Sequence, residues 1–313
     1  MQVLLWLRVG WVSQFFYELV WWPYILLLDG ILHRSRGESL ILSHPRQFLL
    51  LCAFSVPWWL FFEAVNLRLE NWKYIGLPES TCIRWSGYAV AYATVLPAIH
   101  QTAEFLGLLG FFSRSNSPRF QVRDIHLKTL QVCGWTFLIL PLACPGYFFP
   151  LIWGAGVLIL EPVLYRRGWP SLLRQISSGS PGNAYRTLLA GVLCGVLWEF
   201  WNYWAGAKWL YTVPFVGNWK VFEMPILGYI GFAPFALECR CFSVWIRNVW
   251  PDWSRARRLA AAAGLAAFSL LTFHWIDRYT VFTKSARSLC GGLWHSGCLT
   301  ASCKTSSSRF QPG

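Results

Sequence analysis

Charge is what this sequence has least of. Asp, Glu, Lys and Arg supply 13% of its 313 residues, about half the share of a soluble globular protein. Water is therefore not its main solvent. Acids are the scarcer sign, 14 Asp and Glu against 27 Lys and Arg, yet the basic surplus excludes a nucleic-acid partner by its placement, in alternate loops rather than one patch. No P-loop, dinucleotide glycine pattern, zincin motif or nucleophile elbow occurs, which removes nucleotide-driven pumping and the commonest soluble chemistries. The ten Cys give no disulfide framework. Cys52, Cys133, Cys144, Cys194, Cys239 and Cys241 fall in or beside apolar runs, where Cys acts as a small hydrophobe, and Cys82 alone is expected outside. A clean signal peptide is also missing: a single Arg8 precedes a segment holding Glu18, and no small-residue cleavage site follows. That segment reads as the start of the first helix.

What the chain has in abundance is apolar length. Hydrophobic residues make up 55%, with 21 Trp, and runs near the ~20 residues needed to cross a bilayer recur along it. They predict helices over about 11–32, 47–65, 85–112, 127–142, 146–165, 185–203, 221–242 and 259–276. The expected class is an all-α polytopic membrane protein of about eight transmembrane helices. Sixteen basic residues lie in the loops after helices one, three, five and seven, against five (Arg68, Lys73, Arg84, Lys208 and Lys220) in the others. The positive-inside rule makes the rich loops cytoplasmic in a multi-pass cell-membrane protein. Some of that charge suits anionic lipid.

The helices fall into two similar sets. Glu63-x-x-Asn66 followed by Trp72-x-Tyr74 is repeated as Glu199-x-x-Asn202 followed by Trp209-x-Tyr211. From Trp72 the register is a constant shift of 137, so Tyr92 meets Tyr229, Pro97 meets Pro234 and Phe105 meets Phe242. Upstream, the stretch beginning Asp29 meets the one beginning Glu161. Such an ordered series of matches indicates duplication. It predicts two parallel four-helix repeats, 11–142 and 146–284, related by a pseudo-two-fold axis along the membrane normal, with corresponding residues facing each other. Pro97 and Pro234 are expected to kink helices three and seven. Residues 285–313 turn abruptly to Ser, Gly and Cys and read as a disordered tail. Its Cys290, His295, Cys298 and Cys303 lack zinc-ligand spacing, so neither a metal nor a cofactor is expected.

Carboxylates inside spans are costly and face a partner or a cavity. Asp29 and Glu161 precede basic loops and are expected to pair with Arg34 and Arg166. Glu104 shares a helix face with His100, and Asp277 adjoins Arg278. Glu63 and Glu199 each have an Asn on the same face, able to donate to the carboxylate. Two readings stay open for them: clasps between the halves, or acids that line a central cavity and exchange protons with a substrate. Glu238, opposite Gln101 by register, would complete such a set. The surrounding Trp58, Trp59, Phe61 and Phe62, and Trp198, Phe200, Trp201, Tyr203 and Trp204, suit an interfacial belt or shelter for a cationic intermediate.

The paired halves, each with an intramembrane acid and a Trp-x-Tyr element (Trp72-Lys73-Tyr74 and Trp209-Leu210-Tyr211), resemble the small integral-membrane lycopene cyclases of bacteria, archaea and fungi. The likeness covers about 50–110 and 190–245. Phe222-Glu223-Met224-Pro225 echoes that family's Pro-x-Glu-Glu motif without reproducing it, and the family has three spans per half against the four expected here. The resemblance implies redox-neutral cyclisation of an isoprenoid such as a carotenoid, an isomerase reaction in which an acid protonates a double bond and a base removes a proton. The expected catalytic set is Glu63, Glu199 and Glu238, with Asn66, Asn202, Trp72, Tyr74, Trp209 and Tyr211 binding a hydrophobic small-molecule substrate. A proton-coupled transporter of a small or lipidic solute and a non-catalytic scaffold remain alternatives.

Overall fold

A computed structural model describes Leu5 and residues 9–215 and 219–282, so the expectations for the tail lie outside the described residues. The described residues up to Val281 belong to one compact unit. In chain order its helices are α1 (Gly10–Gln14), α2 (Phe16–Arg36), α3 (Pro45–Leu69), α4 (Thr81–Tyr92), α5 (Val95–Leu108), α6 (Asp124–Ala143) and the short α7 (Pro145–Phe148). There follow α8 (Ile152–Arg167), α9 (Leu172–Ser177), α10 (Gly182–Trp204), α11 (Phe232–Asp252) and α12 (Arg255–Trp275). Four stretches are long and apolar enough to cross a membrane: Pro45–Leu69, Asp124–Ala143, Pro145–Arg167 and Arg255–Thr280. Side chains such as Leu49, Val132, Ile139 and Leu259 stand exposed on them, a disposition suited to lipid rather than water.

Local chemistry sets the helix ends. Pro45 opens α3, where its missing N–H would have no partner anyway. The helix stops at Glu70, in the left-handed conformation with φ 52°, whose N–H reaches Asn66 O. Left-handed Gly37 and Gly168 stop α2 and α8 in the same way.

Helices three and seven depart from expectation. The single span expected over 85–112 is broken at Ala93–Thr94 into α4 and α5, and Pro97 lies in the first turn of α5 instead of kinking a continuous helix. Ser55 covers the break: its hydroxyl donates to Tyr92 O at 2.5 Å and accepts from Leu96 N at 3.1 Å. A polar side chain thus satisfies backbone that lipid could not. Over 221–242 the structure has strand residues, a 3-10 turn at Ile226–Gly231 and then α11, with Pro234 again in the first turn. Pro225, Gly228, Gly231 and Pro234 are too dense there for an unbroken helix.

The core is aromatic. Trp21, Phe62, Trp198 and Phe235 are buried in one cluster, and Trp21 meets Trp201 edge-to-face at 4.7 Å. Close helix approach depends on small residues: a Cβ on Gly191 of α10 would collide with Phe232 O at the start of α11.

The basic segments gather at one end. Arg36, at the end of α2, pairs with Glu104 of α5 at 2.9 Å, and Phe120 N donates to Ser177 O at 3.1 Å. At the other end of α2, Ser13 O accepts from Gly206 N at 2.7 Å. The length of α2, roughly 30 Å at 1.5 Å per residue, separates the two ends.

Several acids find partners other than their sequence neighbours. Asp29 accepts from Ser39 Oγ (2.7 Å), Ile41 N (2.8 Å) and Gln101 Nε2 (2.5 Å), not from Arg34. Glu161 accepts from Ser171 Oγ (2.5 Å), Leu173 N (2.8 Å) and Cys241 Sγ (3.1 Å), not from Arg166, which binds Asp124. Each of the two acids holds the hydroxyl of a Ser ten positions on and the N–H two residues beyond it. Glu104 pairs with Arg36 rather than His100, and Asp277 with Arg84 rather than Arg278. In each case the folded bundle offers a better-aimed donor than the local helix face does.

Candidate functional site

The two Trp-x-Tyr elements form β1 (Trp72–Ile75) and β2 (Lys208–Tyr211), and they pair with each other. The ladder is antiparallel, with Trp72 opposite Tyr211 and Tyr74 opposite Trp209. At its end a Cβ on Gly76, whose φ is +70°, would run into Gly206 O, so this crossing requires glycine.

Each strand is fixed to the helix before it by an Asn. Asn66 Nδ2 donates to Trp72 O at 2.9 Å while its Oδ1 accepts from Trp72 N at 3.2 Å. Asn202 does the same to Trp209, at 2.9 and 3.0 Å. The amides therefore hold strand backbone; the expected Asn-to-carboxylate bonds are not made. An edge strand has unpaired backbone groups, and a side-chain amide supplies both a donor and an acceptor.

The acids are held by side chains of the strands. Tyr74 OH donates to Glu63 Oε1 at 2.5 Å, joined by Trp59 Nε1 at 2.9 Å and Trp72 Nε1 at 3.2 Å. Tyr211 OH donates to Glu199 Oε1 at 2.7 Å. Burial and the adjoining carboxylates push the Tyr74 and Tyr211 hydroxyls well above the ordinary phenol range, so both remain donors. The two acids differ in one respect. Glu63 has partners for both oxygens, whereas Glu199 Oε2 is buried without any.

Glu199 lines a cavity of about 470 Å³. Tyr17, Trp59, Tyr88, Trp153, Trp198 and Phe235 supply much of its wall, together with the faces of both strands, so Trp72, Tyr74, Trp209 and Tyr211 all border it. Glu63, Asn66 and Asn202 stand behind this wall. The other carboxyl in the lining is Glu18, and Lys208, ion-paired with Glu223, and Arg84 are also there. Glu238 is not in this set: it lines a second cavity with Trp58, Phe61 and Phe242. Its expected place beside Glu63 and Glu199 followed helix-seven numbering, which the 3-10 turn and the break before Phe232 alter.

Sequence reasoning missed Tyr17, Glu18 and Tyr88 as wall residues. Glu18 was visible as an acid in an apolar run, and Tyr88 stands one turn from the matched Tyr92. Nothing in the sequence ties Tyr17 to the strands, although its ring meets Trp209 edge-to-face at 5.3 Å. Among the described residues no cluster of three His, Cys, Asp or Glu has the geometry to hold a metal.

No protein-family model, curated protein or solved structure matches this chain.

Proposed function

We propose that this chain is a duplicated integral membrane protein of the cell membrane, with about eight crossings and cytoplasmic basic loops, that isomerises a hydrophobic isoprenoid in the cavity between its halves. The repeats are 11–142 and 146–284, and the paired strands mark their pseudo-two-fold axis at the outer face. One observation carries the catalytic reading: Glu199, whose buried Oε2 has no hydrogen-bond partner, is a wall residue of an aromatic cavity.

As a carboxylic acid, Glu199 gives its proton to one carbon of a terminal double bond, whose π electrons form the new C–H bond. The positive charge left on the neighbouring carbon is attacked by a second double bond, which closes a ring. Trp59, Tyr88 and Trp198 shelter the charge by their ring faces. Loss of a proton to Glu18, the other acid in the wall, restores a double bond. A proton then passes from Glu18 back to Glu199, directly or through water, which resets the pair, so atoms and electrons balance without any oxidant. Glu63, saturated by Tyr74, Trp59 and Trp72, serves instead as a clasp. A lycopene-cyclase-like substrate, a linear carotenoid, fits the resemblance of the Trp-x-Tyr halves.

Expression in a host that accumulates linear carotenoid tests this reading. The wild-type chain is expected to yield cyclised pigment of unchanged mass, and Glu199→Gln none. Unchanged pigment in the presence of folded wild-type protein overturns the cyclase reading. Proton-driven uptake into proteoliposomes, lost in Glu199→Gln, would put a transporter in its place.

A further inference from the structure

The central cavity is not closed on every side. Nearly all of its wall is buried or half-buried, and the wall residues that stand exposed are Pro150, Leu227 and Ile230. All three are apolar, and they come from two segments that meet. Leu227 and Ile230, 62% and 68% exposed, are three apart in the 3-10 turn Ile226–Gly231, a spacing that puts them on one face. At the end of that turn a Cβ on Gly231 would come within 3.2 Å of Trp153 Cδ1, just beyond Pro150 in the chain. Trp153 is fixed from inside, stacked on Phe62 at 5.2 Å and edge-to-face with Phe235 at 5.5 Å. The turn is tied from outside: Ile226 N donates to Trp219 O at 2.9 Å and Tyr229 OH to Val221 O at 3.0 Å. Two anchored segments thus frame an apolar mouth.

The depth of this mouth decides what passes it. Pro145–Arg167 is long and apolar enough to cross a membrane, and it ends on Arg166 and Arg167. At 1.5 Å per residue Pro150 stands roughly 25 Å from Arg167, still inside a hydrocarbon core about 30 Å thick. The charged wall residues offer no comparable entrance from water. Lys208 is paired with Glu223 and Arg84 with Asp277, all four side chains 15–20% exposed. We propose that the central cavity opens sideways into the bilayer at Pro150, Leu227 and Ile230, and that its ligand is a hydrocarbon chain taken from the lipid phase. This rests on the membrane reading of the chain, and not on the reaction assigned to Glu199.

The test uses full-length protein in phosphatidylcholine nanodiscs and a long-chain alkyl diazirine, with labelled residues mapped after illumination. Label is expected at Tyr88 and Trp198, buried in the cavity wall, and at Val132 and Ile139, exposed on α6. The Leu227→Trp, Ile230→Trp double variant fills the mouth and should lower the interior label about tenfold relative to the α6 label, as over-filling an apolar site does. Leu49→Trp, at an exposed position on α3, should change neither. A short, water-soluble diazirine acid should leave Tyr88 and Trp198 unlabelled. Interior label that survives the double variant, that the water-soluble acid produces equally, or that is missing from the wild type while α6 is labelled, overturns the lateral entrance. Loss of the α6 label as well would overturn the membrane reading beneath it.

Discussion

Trp72 of the first Trp-x-Tyr element lies directly opposite Tyr211 of the second, on the shared two-stranded sheet. The reciprocal pair, Tyr74 opposite Trp209, completes the crossing. Each strand therefore depends on the other for its backbone partners and on its own helix for the Asn that holds it. From each strand a Tyr reaches back to the acid of that same helix. A sheet this short has little stability in isolation, so these side-chain ties must supply what the ladder does not.

Asn66→Ala and Asn202→Ala each leave a strand donor and acceptor unmet, which should cost about 1–3 kcal/mol apiece. Because the strands pair, the double variant should cost less than the sum of the two. Thermal unfolding in detergent of the two single variants and the double one measures this. Strict additivity would mean that the strands are held independently.

Glu63→Gln and Glu199→Gln should behave differently despite their matching sequence contexts. Glu63 serves three side-chain donors, and an amide there cannot accept from all of them at both atoms, so stability should fall by about 1–3 kcal/mol. Glu199 accepts from Tyr211 at one oxygen and has no partner at the other, and an amide nitrogen at the unpartnered position leaves the Tyr211 bond intact. Its unfolding midpoint should stay near that of the wild type while product formation is lost. Equal destabilisation by the two substitutions would make both acids clasps.

Alkaline pH should weaken the fold through Tyr74 and Tyr211. The folded chain holds both hydroxyls above the ordinary value, whereas the unfolded chain releases those protons near pH ~10. Below that pH both states keep them and no effect is felt. Above it the unfolded state gains, so stability should be flat up to about pH 9 and then decline. Denaturant midpoints measured against pH should show a shallower decline in the Tyr74→Phe, Tyr211→Phe double variant.

How legible this was depends on which interactions were local. Most helix positions followed from apolar length, because lipid and core both demand it, but the breaks within 85–112 and 221–242 did not. That the two Trp-x-Tyr elements meet was foreshadowed by their repetition at nearly equal spacing, six residues behind Asn66 and seven behind Asn202, but the antiparallel pairing of Trp72 with Tyr211 was not. What failed was the choice of partners for acids. Neighbours in sequence, Arg34 for Asp29 and Arg278 for Asp277, were displaced by Ser39, Gln101 and Arg84, which lie 10, 72 and 193 positions away. Nothing in a helix-face argument brings such residues together. Pro97 and Pro234 misled for a related reason: a proline in an apolar run fits a kink or a first turn equally well, and Ser55, which covers the break before Pro97, sits on another helix.

Sidedness can be read by thiol labelling. Cys82 is exposed at the start of α4, near the strand end of the bundle, and Ser178 is exposed near the basic end. In a background with Cys144→Ser, Cys290→Ser, Cys298→Ser and Cys303→Ser, a membrane-impermeant maleimide should label Cys82 in intact cells. A cysteine placed by Ser178→Cys should react only after permeabilisation. The reverse pattern would invert the orientation given by the basic loops.

The link between α4 and the end of α12 concentrates on Asp277. It accepts from Arg84 Nε at 2.8 Å and Nη2 at 2.6 Å, from Trp85 Nε1 at 2.9 Å and from Tyr88 OH at 3.0 Å. The ion pair is largely shielded, with the side chains 15% and 17% exposed, and Tyr88 belongs to the wall of the central cavity. Asp277→Ala strands a guanidinium and two further donors and should cost about 3 kcal/mol, since a shielded charge left without its partner is penalised more than the pair was worth. Removing both charges, in the Arg84→Ala, Asp277→Ala double variant, should recover part of that loss. The cavity should feel the change as well. Tyr88 without its acceptor can turn its hydroxyl toward the ligand space, so Asp277→Ala should lower product formation by more than the loss of folded protein explains. Activity normalised to folded protein, measured beside Tyr88→Phe, separates the two effects: if Tyr88→Phe is fully active and Asp277→Ala loses activity only in proportion to its yield, Asp277 supports the fold alone.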